Sequence, residues 1–392
     1  MKTTEGNELC IDSLYEFLKK NAAIDGTKRF LFTENVAYTR LQTLETSQAL
    51  AERLYSFGIC KGALVAIRAT RSIDTVFLIL ALHILGAIIV FTDAHSKIFE
   101  YIKASGVNIA PQFYITNEDE LMDICAIGNW MLKDVAFNEI DSIVYDVPQS
   151  YNGQLVEELA KDIVVTDPSA VIFTSGSTGR SKAVLLNQFG YINTCLTGYH
   201  IMGHNDKDVL LQILPLHHIM GLAVFINAVV EGHELFIPRS LMAEDILQFI
   251  EQYKISRIHG VPTFFSGLIM DGLHKKYNID SLRCGLIGGG PSTPEQIDMI
   301  EKELKLTLYP TYGMSECLGI SNGTAWQLPE QRKSGVGSFY PFLEGFILND
   351  DEEPMPIGKT GEICIRGYGV MMGYYNDEEE TKRIIDEKGR LH

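Results

Sequence analysis

Residues 173–184 read Phe-Thr-Ser-Gly-Ser-Thr-Gly-Arg-Ser-Lys-Ala-Val and continue the apolar run 170–173. Such a run predicts a buried strand. Its glycines let the loop backbone come close to a ligand. A strand that leads into a loop of hydroxyl side chains and one lysine is typical of a polyphosphate site, where N–H groups and hydroxyls surround the oxygens. The residues expected to hold phosphate are Thr174, Ser175, Gly176, Ser177, Thr178, Gly179 and Lys182.

Two better-known phosphate loops do not match this stretch. A Walker loop needs Gly, four residues and then Gly-Lys-Ser/Thr, whereas Gly176 and Gly179 are three apart and Lys182 follows three residues later. The dinucleotide pattern Gly-x-Gly-x-x-Gly does not occur here either. A flexible surface loop is the plain alternative, since Ser, Thr and Gly dominate loops. The preceding strand and the lysine favour the nucleotide interpretation.

A second motif, Thr-Tyr-Gly-Met-Ser-Glu at 311–316, offers complementary groups. Tyr312 presents an aromatic face for a base, and Ser315 presents a hydroxyl for phosphate. Glu316 provides one hard oxygen ligand, which suits Mg²⁺ because that ion keeps several waters and substrate phosphates. The string is short and common by itself, so its position after the phosphate loop gives it weight.

Two more segments follow predicted strands. Leu-Pro-Leu-His-His-Ile-Met-Gly-Leu at 214–222 contains His218, whose imidazole could line a pocket because it is flat, polar and titrates near neutrality. Ile-Gly-Gly-Gly-Pro at 287–291 removes side chains from a strand end, so a flat ring could approach the backbone. Taken alone, a structural histidine and a tight turn explain these two patterns equally well or better.

Together these motifs resemble the adenylate-forming enzymes, a family that includes acyl-CoA synthetases, firefly luciferase and the adenylation domains of peptide synthetases. The stretch 361–376 resembles the family's Gly-Glu-hydrophobic … Gly-Tyr segment, to which we assign a scaffold role. The chain has Ser181-Lys182-Ala183 where Pro-Lys-Gly is common, and His217 where an aromatic residue is common. Lys182 is kept, and only the proline and glycine on either side of it are replaced. We therefore expect this difference to change the stiffness of the loop more than its chemistry.

The resemblance implies roles for single residues and a set of ligands. ATP, Mg²⁺ and coenzyme A as co-substrate are implied, with Lys182, His218 and Glu316 as catalytic residues and Glu316 as the metal ligand. His218 would border the carboxylate of the acid, and the glycines after 287 would pack along adenine. The nucleotide-binding residues implied beyond Thr174–Gly179 are Gly288, Gly289, Gly290, Pro291, Tyr312, Gly313 and Ser315.

Length, composition and charge limit which classes of protein are possible. The chain has 392 residues, more than one usual domain, with 46% hydrophobic and 21% charged residues, as in a globular protein. Its net charge of −17 argues against general nucleic-acid binding. The seven cysteines form no Cys-x-x-Cys pair, and the N-terminus lacks an apolar signal core, so we expect a cytoplasmic protein. The apolar run 76–91 is too short and interrupted for the roughly 20 residues of a membrane span.

Strand and helix patterns alternate along most of the chain, which predicts mostly parallel sheets wrapped by helices. Helices are expected at 41–57, 73–84, 242–253 and 294–304, and strands at 63–67, 87–91, 209–213, 234–237, 257–260 and 284–287. The expected fold is α/β, with two stacked mostly parallel sheets and a small antiparallel β unit at the C-terminal end. The expected domains are a first α/β lobe at 1–160, a second lobe with the phosphate loop at 161–330, and a small β-barrel-like unit at 331–392.

The chain ends at His392, where the resemblance implies a Thr-Gly-Asp segment, a hinge and a mobile C-terminal domain with a catalytic lysine. A lysine there would stabilise charge as the carboxylate attacks phosphorus. We therefore expect this chain by itself to bind ATP weakly and to turn over slowly. An engineered boundary and a natural truncation both remain open.

The function expected is ATP-dependent activation of a carboxylic acid to an acyl-adenylate, followed by transfer to coenzyme A. Amino-acid-activating relatives carry an aspartate soon after the histidine motif, whereas this chain has no acid there until Glu231. A buried ammonium without a partner is costly, so an uncharged acyl or aryl acid is favoured, with fatty acid metabolism as the expected setting. Two alternatives stay open: an amino-acid adenylation domain that loads a carrier protein, and a non-catalytic nucleotide-binding domain.

Overall fold

The computed structural model describes residues 9–115, 151–174, 181–203 and 205–392. The helices, in chain order, are α1 (Leu14–Asp25), α2 (Arg40–Ser56), α3 (Ile73–Ile84), α4 (Ile98–Ser105), α5 (Gly153–Lys161), α6 (Gln188–Ile201), α7 (Ile219–Glu231), α8 (Ala243–Tyr253), α9 (Pro262–Ile269), α10 (Pro294–Leu304), α11 (Pro329–Lys333) and α12 (Glu378–Ile384), with a 3₁₀ segment at Met270–Lys276.

The strands form two large sheets and one small sheet. In chain order they are β1 (Arg29–Phe32), β2 (Ala37–Thr39), β3 (Leu64–Arg68), β4 (Ile88–Thr92), β5 (Phe113–Ile115), β6 (Pro168–Thr174), β7 (Lys182–Asn187), β8 (Val209–Leu211), β9 (Glu234–Phe236), β10 (Arg257–Ile258), β11 (Cys284–Ile287), β12 (Thr307–Met314), β13 (Cys317–Asn322), β14 (Ser338–Phe339), β15 (Leu343–Leu348), β16 (Glu362–Gly367) and β17 (Gly373–Tyr374).

Within the described residues, the larger sheet has nine strands in the order β14-β13-β12-β11-β10-β8-β9-β1-β2. Its middle strands pair in parallel, and antiparallel pairs stand at both ends. The second sheet has six strands in the order β17-β7-β6-β4-β3-β5, with parallel pairing from β6 to β5. β15 and β16 form the small antiparallel sheet. The predicted α/β class with a small antiparallel unit is confirmed.

Alternation along each strand divides the side chains between two cores, as the pleat requires. Along β3, Val65 and Ile67 belong to a central core that also contains residues of α1, α2, α3, α6 and α7. Leu64 and Ala66 face the opposite way and pack with α4. In the nine-stranded sheet, Val209 and Leu211 of β8 and Phe236 of β9 pack against α8 and form a further core. Both faces of the two large sheets are covered, which explains the continuous apolar runs of their parallel strands.

Helix α3 shows how local sequence and burial agree. Every residue of Ile73–Ile84 is buried, as expected of a helix that is apolar on nearly all sides. The Ser72 side chain accepts a hydrogen bond from the Thr75 backbone N–H and so caps the helix start. Among the described helices, none combines the length and the apolarity needed to cross a bilayer.

The predicted element bounds agree within a few residues, and the main difference is at the ends of short strands. α3, α10 and β11 begin and end where the sequence predicts. The strand predicted at 257–260 ends at Ile258, and Gly260 makes a single bridge to Ile287 beyond it. The strand predicted at 209–213 likewise ends at Leu211. Few backbone pairs hold such short strands, so side-chain pattern alone overestimates their length.

The two large sheets combine strands from distant parts of the chain. β6 and β7, from the segment predicted as the second lobe, join β3, β4 and β5 of the first. β1 and β2, from the start of the chain, extend the nine-stranded sheet beside β9. Strands pair with their neighbours in space and not with their neighbours along the chain. Sheet membership therefore does not define the domains, and the boundaries at 160 and 330 stay a prediction.

Candidate active site

Five of the residues that the sequence analysis selected line one cavity of about 430 Å³. They are Thr174, Lys182, His218, Ser315 and Glu316. They come from three places along the chain: the β6–β7 hairpin, the turn before α7, and the turn between β12 and β13. This polar cleft places one lysine, one carboxylate, one imidazole and two hydroxyls around a common space.

The β6–β7 hairpin positions the first two of these residues. Thr174 and Lys182 are register partners in the antiparallel pair, so they stand opposite each other where the hairpin loop begins and ends. The predicted phosphate-loop residues Ser175, Gly176, Ser177, Thr178 and Gly179 lie between them and outside the described residues.

Lys182 already has a counter-ion within the cleft. Its Nζ lies 2.5 Å from Oε1 of Glu380 in α12, and both side chains are about one-fifth exposed, at 18% and 22%. The same Nζ lies 5.0 Å from the centre of the Tyr374 ring. The lysine is therefore oriented by two residues that the phosphate-loop motif does not contain.

Glu316 is held in the turn between β12 and β13 with only 8% of its surface exposed. Its backbone carbonyl accepts a hydrogen bond from the Met371 N–H at 2.8 Å. The Tyr374 hydroxyl donates to Glu316 Oε1 at 2.7 Å. Burial and the neighbouring carboxylate raise the pKa of Tyr374, so the phenol keeps its proton and remains a donor. Oε2 of Glu316 is left as the oxygen available to a ligand.

His218 is the residue before α7, and its side chain makes no capping hydrogen bond to that helix. Partial burial lowers its pKa, so the imidazole is neutral at pH 7. The His217 ring lies 4.3 Å away, centroid to centroid. Burial first and the neighbouring imidazole second lower the pKa of His217 to about 4. The pair adds no positive charge to the cleft at neutral pH.

A second, mostly apolar cavity of about 180 Å³ lies next to the polar cleft. Ile219 and Gly313 line this cavity. Ile219 directly follows His218 of the cleft, and Gly313 directly precedes Met314 of the cleft. Gly289 also lines this cavity, with a φ of +73° that favours glycine. Two predicted nucleotide residues, Gly289 and Gly313, are thus found at the apolar cavity.

Four other predicted nucleotide residues line neither of these two cavities among the described residues. A Cβ on Gly288 would lie 2.5 Å from Thr311 Cγ2 and 2.9 Å from the Thr311 carbonyl oxygen, so this glycine permits close packing on β12. Tyr312 is 38% exposed, and Gly290 and Pro291 are also exposed. Their nucleotide-binding roles stay predictions.

Sequence reasoning missed several residues of the polar cleft, all in the C-terminal part of the chain. Tyr374 was assigned only a scaffold role, but its hydroxyl contacts Glu316 directly. Arg383 and His392 line the cleft, and Glu380 reaches into it through its ion pair with Lys182. The sequence signal for them is weak, because an acidic stretch followed by basic residues in a short helix reads as an ordinary exposed helix.

The arrangement is suited to a charged, phosphate-bearing ligand. Lys182 and Arg383 provide cations, hydroxyls of Thr174 and Ser315 provide donors, and Glu316 provides an oxygen ligand for a hard metal ion. The neighbouring apolar cavity can take an uncharged group joined to that ligand.

The chain is similar to known proteins over most of its length. The family model described as "AMP-binding enzyme" matches residues 18–375. A probable CoA ligase of Humulus lupulus is 26% identical over 88% of this chain and 64% of its own length. A probable 4-coumarate–CoA ligase of Dictyostelium discoideum is 31% identical over 67% of this chain and 50% of its own. The chain thus spans less than two thirds of the length of these two curated relatives.

Solved structures share the fold at low sequence identity. The crystal structure of VinN superposes with a TM-score of 0.83 at 21% identity and covers 98% of this chain and 96% of that one. The N-terminal domain of FACL13 from Mycobacterium tuberculosis gives a TM-score of 0.81 at 19% identity, over 97% of this chain and 95% of that chain.

Proposed function

The chain belongs to the AMP-binding enzyme family, and from that premise we propose that it activates a carboxylic acid with ATP and passes the acyl group to coenzyme A. A carboxylate oxygen bonds to the α-phosphorus of ATP, and the bond from that phosphorus to the bridging oxygen breaks, which gives an acyl-adenylate and pyrophosphate. The thiolate of coenzyme A then bonds to the acyl carbon, and AMP leaves. The observation that carries the proposal is the shared cavity of Lys182, His218 and Glu316.

We assign to the residues of the polar cleft the roles that phosphate binding requires. Thr174 and Lys182, with the loop 175–179 between them, hold phosphate oxygens. Ser315 donates to a phosphate. Gly288–Gly290, Pro291, Tyr312 and Gly313 hold the adenine. Each of these assignments rests on the position of the residue in its motif, and Gly289 and Gly313 are the members of the adenine set that line one of the two cavities described.

Glu316 is the residue that would hold Mg²⁺. Its Oε1 accepts from Tyr374, and Oε2 remains for a metal, which matches the single carboxylate that Mg²⁺ commonly takes beside substrate phosphates and waters. When bound, the ion would neutralise charge on the phosphates. The hydrogen bond from Tyr374 holds the Glu316 carboxylate in place at the cleft.

His218 would border the carboxylate of the acid. Because burial lowers its pKa, the ring is neutral and can donate one hydrogen bond to the acid without an ion pair that would hold the carboxylate back. The ring stands where the polar cleft and the apolar cavity meet, since Ile219 begins the lining of the latter.

The apolar cavity favours an uncharged acyl or aryl group. Among its described lining residues there is no Asp, Glu, Lys or Arg. The two curated relatives described above are CoA ligases, one of them named for 4-coumarate, which supports coenzyme A as the acceptor. An amino-acid adenylation domain that loads a carrier protein is not favoured by these relatives. A cytoplasmic setting, fatty acid metabolism and slow turnover by this chain alone stay predictions.

The proposal is tested by pyrophosphate release and thioester formation with a panel of fatty, aryl and amino acids, in the presence of ATP, Mg²⁺ and coenzyme A. We expect release with at least one fatty or aryl acid and none with amino acids. Detectable ATP binding without pyrophosphate release for any acid would favour the non-catalytic alternative.

Glu316→Gln tests the metal role. The change keeps the shape of the side chain but removes its charge, so calorimetry should show MgATP binding weakened by roughly tenfold, in the range for a lost charged hydrogen bond, with binding of metal-free ATP little changed. Glu330→Gln, an equal charge change on exposed α11, is the control. Equal MgATP affinity in Glu316→Gln and the control would remove Glu316 from the metal site.

A further inference from the structure

The apolar cavity contains an amide oxygen with no protein partner. Asn227 lies in α7 and is 7% exposed. Its Nδ2 donates to the Cys195 carbonyl at 3.2 Å, which fixes the orientation of the amide. Its Oδ1 is buried and has no hydrogen-bond partner. A buried acceptor in this state is destabilising, and Asn227 lines the cavity, so a ligand that donates a hydrogen bond to Oδ1 would satisfy it.

His259 adds a donor to the same cavity. The side chain is 3% exposed and lines the space with Asn227. Its Nδ1 accepts a hydrogen bond from the Leu286 N–H at 3.0 Å. Burial lowers the pKa of His259 to about 3, so the ring is neutral and its single proton is on Nε2. Within the described residues, no protein group accepts from that N–H.

Asn227 stands well away from the polar cleft. It follows Ile219 by eight residues along α7, which corresponds to about 12 Å along the helix axis. An acid whose carboxylate reacts near His218 would have that carboxylate at the start of α7. The opposite end of the acid would then reach Asn227, further along the helix. The two groups are separated by roughly the length of one ring and a short spacer.

We propose that Asn227 and His259 together recognise a hydroxyl group on the acid, at the end remote from its carboxylate. The hydroxyl donates to Asn227 Oδ1 and its oxygen accepts from His259 Nε2–H, so a single group satisfies both. This inference rests on the proposed function, since it names the class of acid that the proposed enzyme takes.

Other remote groups match the pair less well. An ammonium can donate to Asn227 but cannot accept from His259, and the described lining has no carboxylate to balance its charge. A carboxylate or ketone can only accept, so it leaves Asn227 Oδ1 unsatisfied. A plain hydrocarbon satisfies neither. The cavity volume of about 180 Å³ is close to the ~150 Å³ that holds one benzene ring, which indicates a compact acyl group rather than a long chain.

The test compares matched acids that differ by one hydroxyl. Suitable pairs are 3-(4-hydroxyphenyl)propanoate with 3-phenylpropanoate, and 6-hydroxyhexanoate with hexanoate. Two readouts are taken on the full chain: the shift in melting temperature produced by each acid with ATP and Mg²⁺, and kcat/KM for pyrophosphate release. We expect the hydroxy acid of at least one pair to be preferred tenfold or more, and to give the larger thermal shift.

Three variants separate recognition from folding. Asn227→Leu removes the acceptor, and His259→Asn keeps an acceptor for Leu286 N–H while it removes the Nε2 donor. Each should reduce the preference for the hydroxy acid to about twofold or less. Met202→Leu, a volume-conserving change in the same cavity, should leave the preference intact. Folding of each variant is checked by its melting temperature without ligand.

The outcomes distinguish this inference from the proposed function. Equal binding of both members of every pair, a preference for the deoxygenated acid, or an unchanged preference in both Asn227→Leu and His259→Asn overturns the inference. A hydroxy-acid thermal shift that requires Asn227, without pyrophosphate release for any acid, overturns the proposed function and leaves the recognition of the hydroxyl standing.

Discussion

Lys182 is held by an acidic residue that would compete with phosphate. The carboxylate of Glu380 lies 2.5 Å from Lys182 Nζ and also pairs with Arg383 in the same helix. Arg383 first and Lys182 second lower the pKa of Glu380 to about 2, so the carboxylate is charged at every pH above about 4. A polyphosphate that uses Lys182 must displace this ion pair.

Replacing Glu380 by Gln should therefore strengthen ATP binding. A partly exposed ion pair is worth up to about 1 kcal/mol, so we expect a dissociation constant two- to fivefold lower in Glu380→Gln. Calorimetric titration with ATP at low ionic strength measures it. Glu379→Gln is the matched control, because it changes the same charge on an exposed neighbour in α12. Weaker ATP binding in Glu380→Gln than in the control would mean that Glu380 supports the nucleotide instead.

At the scale of an element, the start of α7 sets the position of His218. The Gln212 side chain donates to the carbonyl oxygens of Leu214 and Gly221, at 2.8 and 3.1 Å, and so ties the incoming turn to the first turn of the helix. A Cβ on Gly221 would lie 2.0 Å from the Pro215 carbonyl oxygen. Backbone occupies the space that a side chain would need, so this turn depends on glycine.

Gly221→Ala should displace the turn and with it His218. Since a backbone oxygen cannot move aside as a flexible side chain can, we expect a loss of about 2 kcal/mol or more in the free energy of unfolding, together with loss of pyrophosphate release. Gly267→Ala in α9 is the control: no atom lies within 4 Å of its added Cβ, and alanine in a helix should stabilise by about 0.5–1 kcal/mol. Urea unfolding measures both, and equal stability of the two variants would contradict the steric argument.

Across the whole molecule, buried titratable groups oppose each other as pH falls. Burial lowers the pKa of His83 and of His217 to about 4 and that of His259 to about 3. His83 is also fixed by hydrogen bonds, since Nδ1 donates to the Ile79 carbonyl and Nε2 accepts from the Tyr191 hydroxyl. Glu231 behaves in the opposite way, because burial raises its pKa to about 7.

These shifts predict how stability changes between pH 6.5 and 5. In this window the unfolded chain takes up three protons, at His83, His217 and His259, that the folded chain does not bind, and this difference lowers stability as pH falls. The folded chain keeps one proton on Glu231 that the unfolded chain lacks, and this difference raises stability as pH falls. Three protons against one leave a net of two, which gives a decrease that approaches roughly 2.7 kcal/mol per pH unit.

Glu231→Gln isolates the two contributions. The amide resembles the protonated acid, so the opposing proton is removed and the loss of stability between pH 6.5 and 5 should become about one and a half times as steep. Urea unfolding of the chain and the variant at pH 6.5, 5.75 and 5 measures the two slopes. Parallel slopes would show that Glu231 is ionised in the folded chain.

Much of the fold and part of the candidate site could be predicted because the signals are local. The periodicity of α3 and α10 and the apolar run of β11 depend on neighbours a few residues away, and these elements begin and end as predicted. The phosphate-loop and Glu316 motifs are contiguous strings, each recognisable without knowledge of the fold. Their family was visible from the sequence, and the matching of residues 18–375 bears it out.

What the sequence by itself determined is therefore the class of fold, most element bounds, the family and the strings that carry Lys182, His218 and Glu316. Only the tertiary structure decided that Glu380 faces Lys182 across 198 residues, and that Tyr374 donates to Glu316 across 58. It alone decided which sheet β6 and β7 join. The physical reason is that backbone hydrogen bonding and side-chain alternation act over a few residues, whereas such distant contacts form only when packed sheets and helices bring remote segments together.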